Sequence, residues 1–217
     1  MRDPQTASTA LEEAYRALGY THIVGIDEAG RGAWAGPVVA GAVILPIGRP
    51  DLRDALKGVR DSKKVSTMRQ RDLLAESVRD VALAWGVGQA SAQEIDAYNI
   101  VGATKLAMRR ALAMLSQDFA DVQPNALFLD HITLPDNPLF QLSLARMDSL
   151  SLTVASASLL AKTYRDDIMI GLDERYAGYD FAHNKGYGQP AHIAGLDRLG
   201  VSPVHRLSFK PMQRRLL

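Results

Sequence analysis

Residues 22–32 read His-Ile-Val-Gly-Ile-Asp-Glu-Ala-Gly-Arg-Gly. The apolar half, His22 to Ile26, predicts a buried strand. It ends in two adjacent carboxylates, Asp27 and Glu28, followed by the turn Gly30-Arg31-Gly32. Like charges at a strand end repel each other and lose hydration, so a fold that keeps them there needs a reason. A bound hard cation is a common one, because Mg²⁺ and Mn²⁺ prefer carboxylate oxygen. Glycines on both sides of an arginine let backbone N–H groups approach an anion, while the guanidinium grips phosphate. Acids suited to metal beside a cradle suited to an anion suggest phosphodiester chemistry.

Composition narrows the setting. A chain of 217 residues, 47% hydrophobic and 23% charged, can bury a sizeable core. A net charge of +1 is not that of a general basic nucleic-acid binder. Any nucleic-acid site is therefore a local patch. The chain has no cysteine, which excludes a disulfide framework and a thiolate metal site and fits a reducing compartment. No stretch approaches the roughly 20 apolar residues of a membrane helix. Met1 to Thr9 lacks the apolar core of a signal peptide. The expected location is cytoplasmic, with no membrane partner.

Along the chain, helices are expected at Ala10 to Leu18, Ser66 to Ser77, Ser91 to Ser116, Leu152 to Tyr176 and Ala191 to Leu199. Strands are expected at His22 to Asp27, Pro37 to Leu45, Val81 to Gln89, Ala126 to Leu129 and Phe140 to Ala145. Ser91-Ala92-Gln93-Glu94 fits a capping box. Arg49 to Val65 reads as polar and turn-rich, and the tail from His205 onward is basic. Three early strands, a long helix and then strand–helix alternation predict an α/β layer fold with a mixed sheet.

Other residues carry a bland and a sharp reading side by side. Asp130 follows the apolar Ala126 to Leu129, at the strand end where α/β folds gather ligands; taken alone, it reads as a turn or cap. Lys162 and Asp166 share a helix face. Taken alone, the run Lys162 to Asp167 reads as a solvated face with local ion pairs. Periodicity does not say whether Asp166 or Asp167 faces a site. Asp61-Ser62-Lys63-Lys64 either holds a phosphate or is an exposed charged turn. Asn99 is a polar contact or a helix-start residue. Tyr187, between Gly186 and Gly188, stacks on a sugar or base or packs on the core. His205-Arg206 contacts a phosphate backbone or belongs to an ordinary charged tail. No nucleophile elbow, phosphate loop or dinucleotide fingerprint is present.

Taken in order, these segments resemble the ribonuclease HII family, the bacterial type 2 ribonucleases H. The resemblance runs from Tyr20 to Phe209. It is carried by Gly25 to Gly32, Gly36-Pro37-Val38-Val39, Asp61 to Lys64, Ile95-Asp96 with Asn99-Ile100, and Ala103-Thr104. Ala157-Ser158 to Arg165-Asp166, Lys185-Gly186-Tyr187, and His205-Arg206 with Ser208-Phe209 complete it. Two positions depart from the family pattern. Arg146-Met147-Asp148 stands where Lys-Gly-Asp is usual, and His131 stands where glycine usually follows the acid.

The resemblance implies a ribonuclease H-like fold, a mixed central sheet flanked by helices with a C-terminal helical segment. One catalytic domain spans residues 1–217, with a core of about 20–176 and a helical tail region of about 177–217. It leaves no room for the N-terminal substrate-binding domain of type HIII enzymes. It implies four catalytic, metal-holding acids, Asp27, Glu28, Asp130 and Asp166, and two divalent ions, Mn²⁺ or Mg²⁺. Gly30, Arg31 and Gly32 would sense 2′-hydroxyls, and Tyr187 would stack at the junction of ribonucleotide and deoxyribonucleotide. Ser62, Lys63 and Asn99 complete the substrate contacts. The implied reaction is hydrolysis of RNA in RNA–DNA hybrids and incision 5′ of ribonucleotides in duplex DNA, leaving 5′-phosphate and 3′-hydroxyl ends. A monomer is expected, and the tail from Lys210 to Leu217 is a candidate sliding-clamp contact. The rival readings are a non-catalytic binding module and a junction resolvase of the same fold.

Overall fold

A computed structural model describes residues 7–59 and 67–216, the last without its side chain. Asp61 to Lys64, and with them Ser62 and Lys63, lie outside the described residues. Five strands form one mixed sheet: β1 (Ile23–Ala29), β2 (Val38–Ile44), β3 (Ala84–Ala90), β4 (Ala126–Asp130) and β5 (Phe140–Leu144). Their order is β3-β2-β1-β4-β5. The first three strands pair antiparallel, whereas β1–β4 and β4–β5 are parallel. Parallel pairing of β1 with β4 puts their carboxyl ends on one rim. Ile26 lies opposite Leu129, so Asp27 and Asp130 each come one residue beyond a matched pair.

Helices α1 (Ala10–Arg16), α2 (Leu52–Ala55), α3 (Met68–Val81), α4 (Ala92–Asp118) and α5 (Leu152–Arg175) surround the sheet. The C-terminal region adds α6 (Phe181–Asn184), α7 (Pro190–Leu199) and α8 (Lys210–Leu216). One core layer joins Val24, Ile26, Ala40 and Leu129 of the sheet to Ala103, Ala107 and Ala111 of α4. The opposite layer joins Val43 to Ala155 and Leu159 of α5 and to Ala75 and Val78 of α3. Val38–Ile44 is buried along its whole length, as a strand covered on both faces must be.

Two glycines set the height of α5 over the sheet. A Cβ on Gly25 would lie 2.5 Å from the Thr153 carbonyl carbon, and one on Gly41 would lie 2.3 Å from the Ala157 carbonyl oxygen. The helix therefore rests backbone-to-backbone on β1 and β2, and its contact residues, Ala155, Ser156, Ala157 and Ser158, are small and buried. Its N-terminus is capped twice. Val154 N–H donates to the Ser151 hydroxyl, and the buried Glu12 carboxylate of α1 accepts from Ser151 Oγ at 2.6 Å and Thr153 N at 2.9 Å.

Several expectations shift. The turn-rich segment contains the short helix α2. The helix expected to end at Ser77 runs to Val81, and the following strand starts only at Ala84. Thr67 fixes the helix start by accepting from Gln70 N, and extended Ala82 ends it. The capping box at Ser91 and Glu94 forms as expected, but α4 is kinked at Asn99, whose φ is +57°. Its Oδ1 accepts from Val101 N and Gly102 N, so Asn99 starts a second helical segment within the first.

Candidate active site

A cavity of about 370 Å³ opens at the rim where β1 and β4 end. Asp27, Glu28, Asp130 and Asp166 line it, together with Gly30, Arg31, Gly32, Ser158, Lys162, Arg165 and Tyr187. The fold thus brings all four expected acids, the whole Gly-Arg-Gly turn and the tyrosine to one place. Asn99 is not among the lining residues.

Three of the acids act on one another. Asp27 shares the α5 face of β1 with Gly25. Its carboxylate accepts from the Glu28 N–H at 2.7 Å and from the Ser158 side chain. Burial, then the charge of Glu28, and more weakly that of Asp130, raise its pKa well above the usual carboxylate range. Burial also raises Glu28, against the pull of Arg31, whose Nη1 donates to Oε1 at 3.2 Å. The other Glu28 oxygen, Oε2, is buried and has no hydrogen-bond partner. Asp130 Oδ1 accepts from Met147 N at 3.0 Å, which ties the rim to the turn before α5.

Asp166 is held differently. Its side chain is only 4% exposed, and it pairs with Arg71 at 3.1 Å and Lys162 at 3.4 Å. The Lys185 ammonium, buried without a hydrogen-bond partner, lies in the field of Asp166, Lys162 and Arg71. Asp167, one residue on, is exposed and does not line the cavity. The reading of Lys162 to Asp167 as a solvated face fails: Arg165 and Asp166 are both buried, because α5 is covered here by α3 and by the loop after β1. As the side chains stand, no three His, Cys, Asp or Glu groups among the described residues are gathered closely enough to hold a metal ion.

The anion cradle rests on two buried arginines. Gly30 has φ +90°, and a Cβ there would fall 2.0 Å from Arg165 Nε, so only glycine fits. Arg165 donates to the carbonyls of Pro37 and Ala35. Arg206 donates to those of Arg31, Gly36 and Pro37. Both readings of His205-Arg206 as surface residues are therefore wrong: His205 is 1% and Arg206 0% exposed. These residues hold the cradle from below. Tyr187 is 40% exposed on the rim, with the Arg165 guanidinium 5.7 Å from its ring centre. His131 takes φ +61°, so it adopts the backbone form that the usual glycine would supply. Sequence reasoning missed Arg71 altogether, since nothing local separates it from the other charged residues of α3.

The fold defined by this sheet and rim is ribonuclease H-like. It matches the ribonuclease H2 of Pyrococcus horikoshii with a TM-score of 0.69 at 22% identity, covering 88% of this chain and 95% of that one. It also matches the ribonuclease HII of Archaeoglobus fulgidus, solved as a complex with PCNA, with a TM-score of 0.66 at 25% identity over 87% and 95%. The Bst ribonuclease HIII solved with Mn²⁺ matches with a TM-score of 0.68 at 19% identity over 94% and 71%. In sequence, a family model described as Ribonuclease HII matches residues 24–212. The ribonuclease HII proteins of Myxococcus xanthus and Desulfitobacterium hafniense are each 46% identical over 198 residues, 91% of this chain. The match spans 64% of the Myxococcus protein and 72% of the Desulfitobacterium one. This chain belongs to the ribonuclease HII family.

Proposed function

We propose that the chain is a metal-dependent endoribonuclease. It hydrolyses the RNA strand of RNA–DNA hybrids and incises 5′ of ribonucleotides embedded in duplex DNA, leaving 5′-phosphate and 3′-hydroxyl ends. The observation that carries this reading is the set of mutually repelling, buried carboxylates beside the Gly30–Gly32 cradle, with Glu28 Oε2 unpartnered.

That donor set fits hard divalent ions such as Mn²⁺ or Mg²⁺. All the donors are carboxylate oxygens, and a cation would relieve both the raised pKa of Asp27 and the bare Glu28 oxygen. Two such ions, when bound, supply an activated water and charge stabilisation for the leaving oxygen. Asp27, Glu28 and Asp130 would hold them from the strand ends, and Asp166 would join them on leaving Arg71 and Lys162, which would then be free to face substrate phosphate. The backbone at Gly30, Arg31 and Gly32 reads the ribose 2′-hydroxyl, which both donates and accepts. Tyr187 stacks on the sugar of the following deoxyribonucleotide and fixes which phosphate lies over the acids. Ser62, Lys63 and Asn99 are assigned to contacts with the duplex.

We take residues 1–217 as one catalytic unit, working as a monomer in the cytoplasm. A sliding clamp is its proposed protein partner, contacted through the tail from Lys210 to Leu217. The complex of the Archaeoglobus enzyme with PCNA supports that choice.

The test compares an all-DNA duplex, a long hybrid and a duplex with one ribonucleotide, at one salt concentration because phosphate contacts make affinity salt-dependent. Wild type should cut the last two and spare the first. Tyr187→Ala should lose about tenfold more on the single ribonucleotide than on the hybrid, where many registers are productive. Cutting of the all-DNA duplex would refute ribose recognition.

A further inference from the structure

Beneath Tyr187 lies a buried hydrogen-bonded series that the reaction does not use directly. Tyr187 O accepts from Gln189 N at 2.7 Å and makes a second contact, 3.0 Å, with His192 Nδ1. His192 Nε2 lies 3.0 Å from His205 Nε2. His205 Nδ1 accepts from Ser202 N at 2.9 Å and lies 2.8 Å from Ser202 Oγ and 3.3 Å from Ser202 O. Both histidines are essentially fully buried. They pack among Trp34, Tyr179 and Phe181.

The chemistry of the two ends fixes every proton between them. A carbonyl only accepts, so His192 carries its proton on Nδ1 and has a bare Nε2. A backbone N–H only donates, and Ser202 N lies closer to His205 Nδ1 than the Ser202 carbonyl, which already accepts from His205 N; the series therefore assigns His205 a bare Nδ1 and a proton on Nε2. The single proton between the rings therefore sits on His205 and is donated to His192. The two deductions start from opposite ends and agree. One neutral tautomer of each ring satisfies the whole series, and the other tautomer of either ring breaks it.

We propose that His192, oriented by His205, is a positioning residue for Tyr187, fixing its backbone and thereby the ring at the cavity rim. The proposal rests on the reading of Tyr187 as the junction-stacking residue. The same end of the chain steadies the other substrate reader, since Arg206, next to His205, holds the Arg31 carbonyl. The charged group facing the pair from a neighbouring element is Arg215 of α8. It opposes a second proton on either ring, and Tyr179 is the remaining titratable neighbour.

Two isosteric variants separate positioning from bulk. The amide nitrogen of His192→Asn reaches the place of Nδ1 and keeps the donor to Tyr187. His192→Gln reaches the place of Nε2 and leaves the Tyr187 carbonyl without it. His192→Gln should cut the single-ribonucleotide duplex about tenfold less well relative to the long hybrid, as expected for one lost hydrogen bond. His192→Asn should recover most of that ratio. A substrate bias in Tyr187→Ala with none in His192→Gln overturns the positioning role and leaves the stacking reading intact. No bias in Tyr187→Ala overturns the stacking reading and the positioning role with it. Imidazole ¹⁵N spectra of the wild-type protein give a check independent of cleavage and of any variant's folding. They should show His192 protonated on Nδ1 and His205 on Nε2 at neutral pH, and the opposite tautomer at either ring overturns the proposal.

Discussion

The carboxylate rim and the histidine–arginine cluster beneath the cradle are both polar and both buried, yet they meet burial in opposite ways. At the rim, burial and the charges of Glu28 and Asp130 raise the cost of ionising Asp27, burial and Asp130 raise that of Glu28, and a Glu28 oxygen is left bare. In the cluster, each ring nitrogen of His192 and His205 has a partner, and Arg206 spreads its donors over three carbonyls. Buried polar groups are normally satisfied, so an unsatisfied set marks a place kept for something that binds. The satisfied set holds the loops that recognise what binds. The contrast separates chemistry from positioning within one small volume.

The strongest way to break that contrast is Asp27→Asn. Cleavage should fall by roughly 10³-fold or more, as expected when a metal-holding charge is removed. Stability without divalent ions should rise by about 1–2 kcal/mol, because one member of a repelling buried pair is neutralised. Turnover near wild type would reject the site, and a lower denaturation midpoint would reject the repulsion. No such gain is expected in the cluster, where removing a partner only strands another group.

Next in size is the difference between neighbours on α5. Asp166→Asn should reduce cleavage by roughly 10²- to 10³-fold, and Asp167→Asn should stay within about twofold of wild type. Asp166 is buried and paired, whereas Asp167 is exposed and outside the cavity. Unlike Asp27→Asn, Asp166→Asn should also lower stability, since it leaves Arg71 and Lys162 facing each other without a carboxylate between them. Equal kinetic losses at the two positions, with the fold intact by circular dichroism, would remove Asp166 from the site.

The same contrast explains what could be read from the chain. Part of the rim was legible because its signals are local: an apolar run that ends in acid at Asp27, and glycines around Arg31. Asp130 on its own read as a turn or cap, and the family resemblance made it a site acid. The central strands β1, β2 and β4 were legible to within a few residues for the same reason, since burial on both faces leaves continuous apolar runs. Asp166 against Asp167 was not settled by periodicity. Helix α5 is buried nearly all round at its start, so no single apolar stripe orients it. The cluster was not legible at all. His205-Arg206 looks like any basic tail, and its burial comes from carbonyls some 170 residues earlier in the chain. The kink at Asn99 was hidden because a capping box and a long apolar pattern predict an unbroken helix, while the side-chain cap that restarts it leaves no periodic trace.

The smallest expected effect is the pH dependence of stability, and it sharpens the comparison because the two regions titrate with opposite sign. Burial, then the neighbouring His192, lowers the His205 pKa to about 4 from an ordinary value of 6.5. His192 is lowered in the same direction, by burial first. Between about 4 and 6.5 the unfolded chain binds protons that the folded chain refuses. The histidines' contribution is therefore fully present above about 6.5 and is lost as pH falls toward 4. Asp27 and Glu28 are raised instead, so their contribution is complete at low pH and is lost as pH rises past the ordinary carboxylate range. Denaturant midpoints measured across this range without divalent ions should show the two trends partly cancelling in wild type. His205→Asn should remove the larger part of the histidine trend and expose more of the fall with rising pH, and Asp27→Asn should steepen the rise. An unchanged profile in His205→Asn would show that the pair is not buried neutral, and the fixed tautomers of the series would go with it.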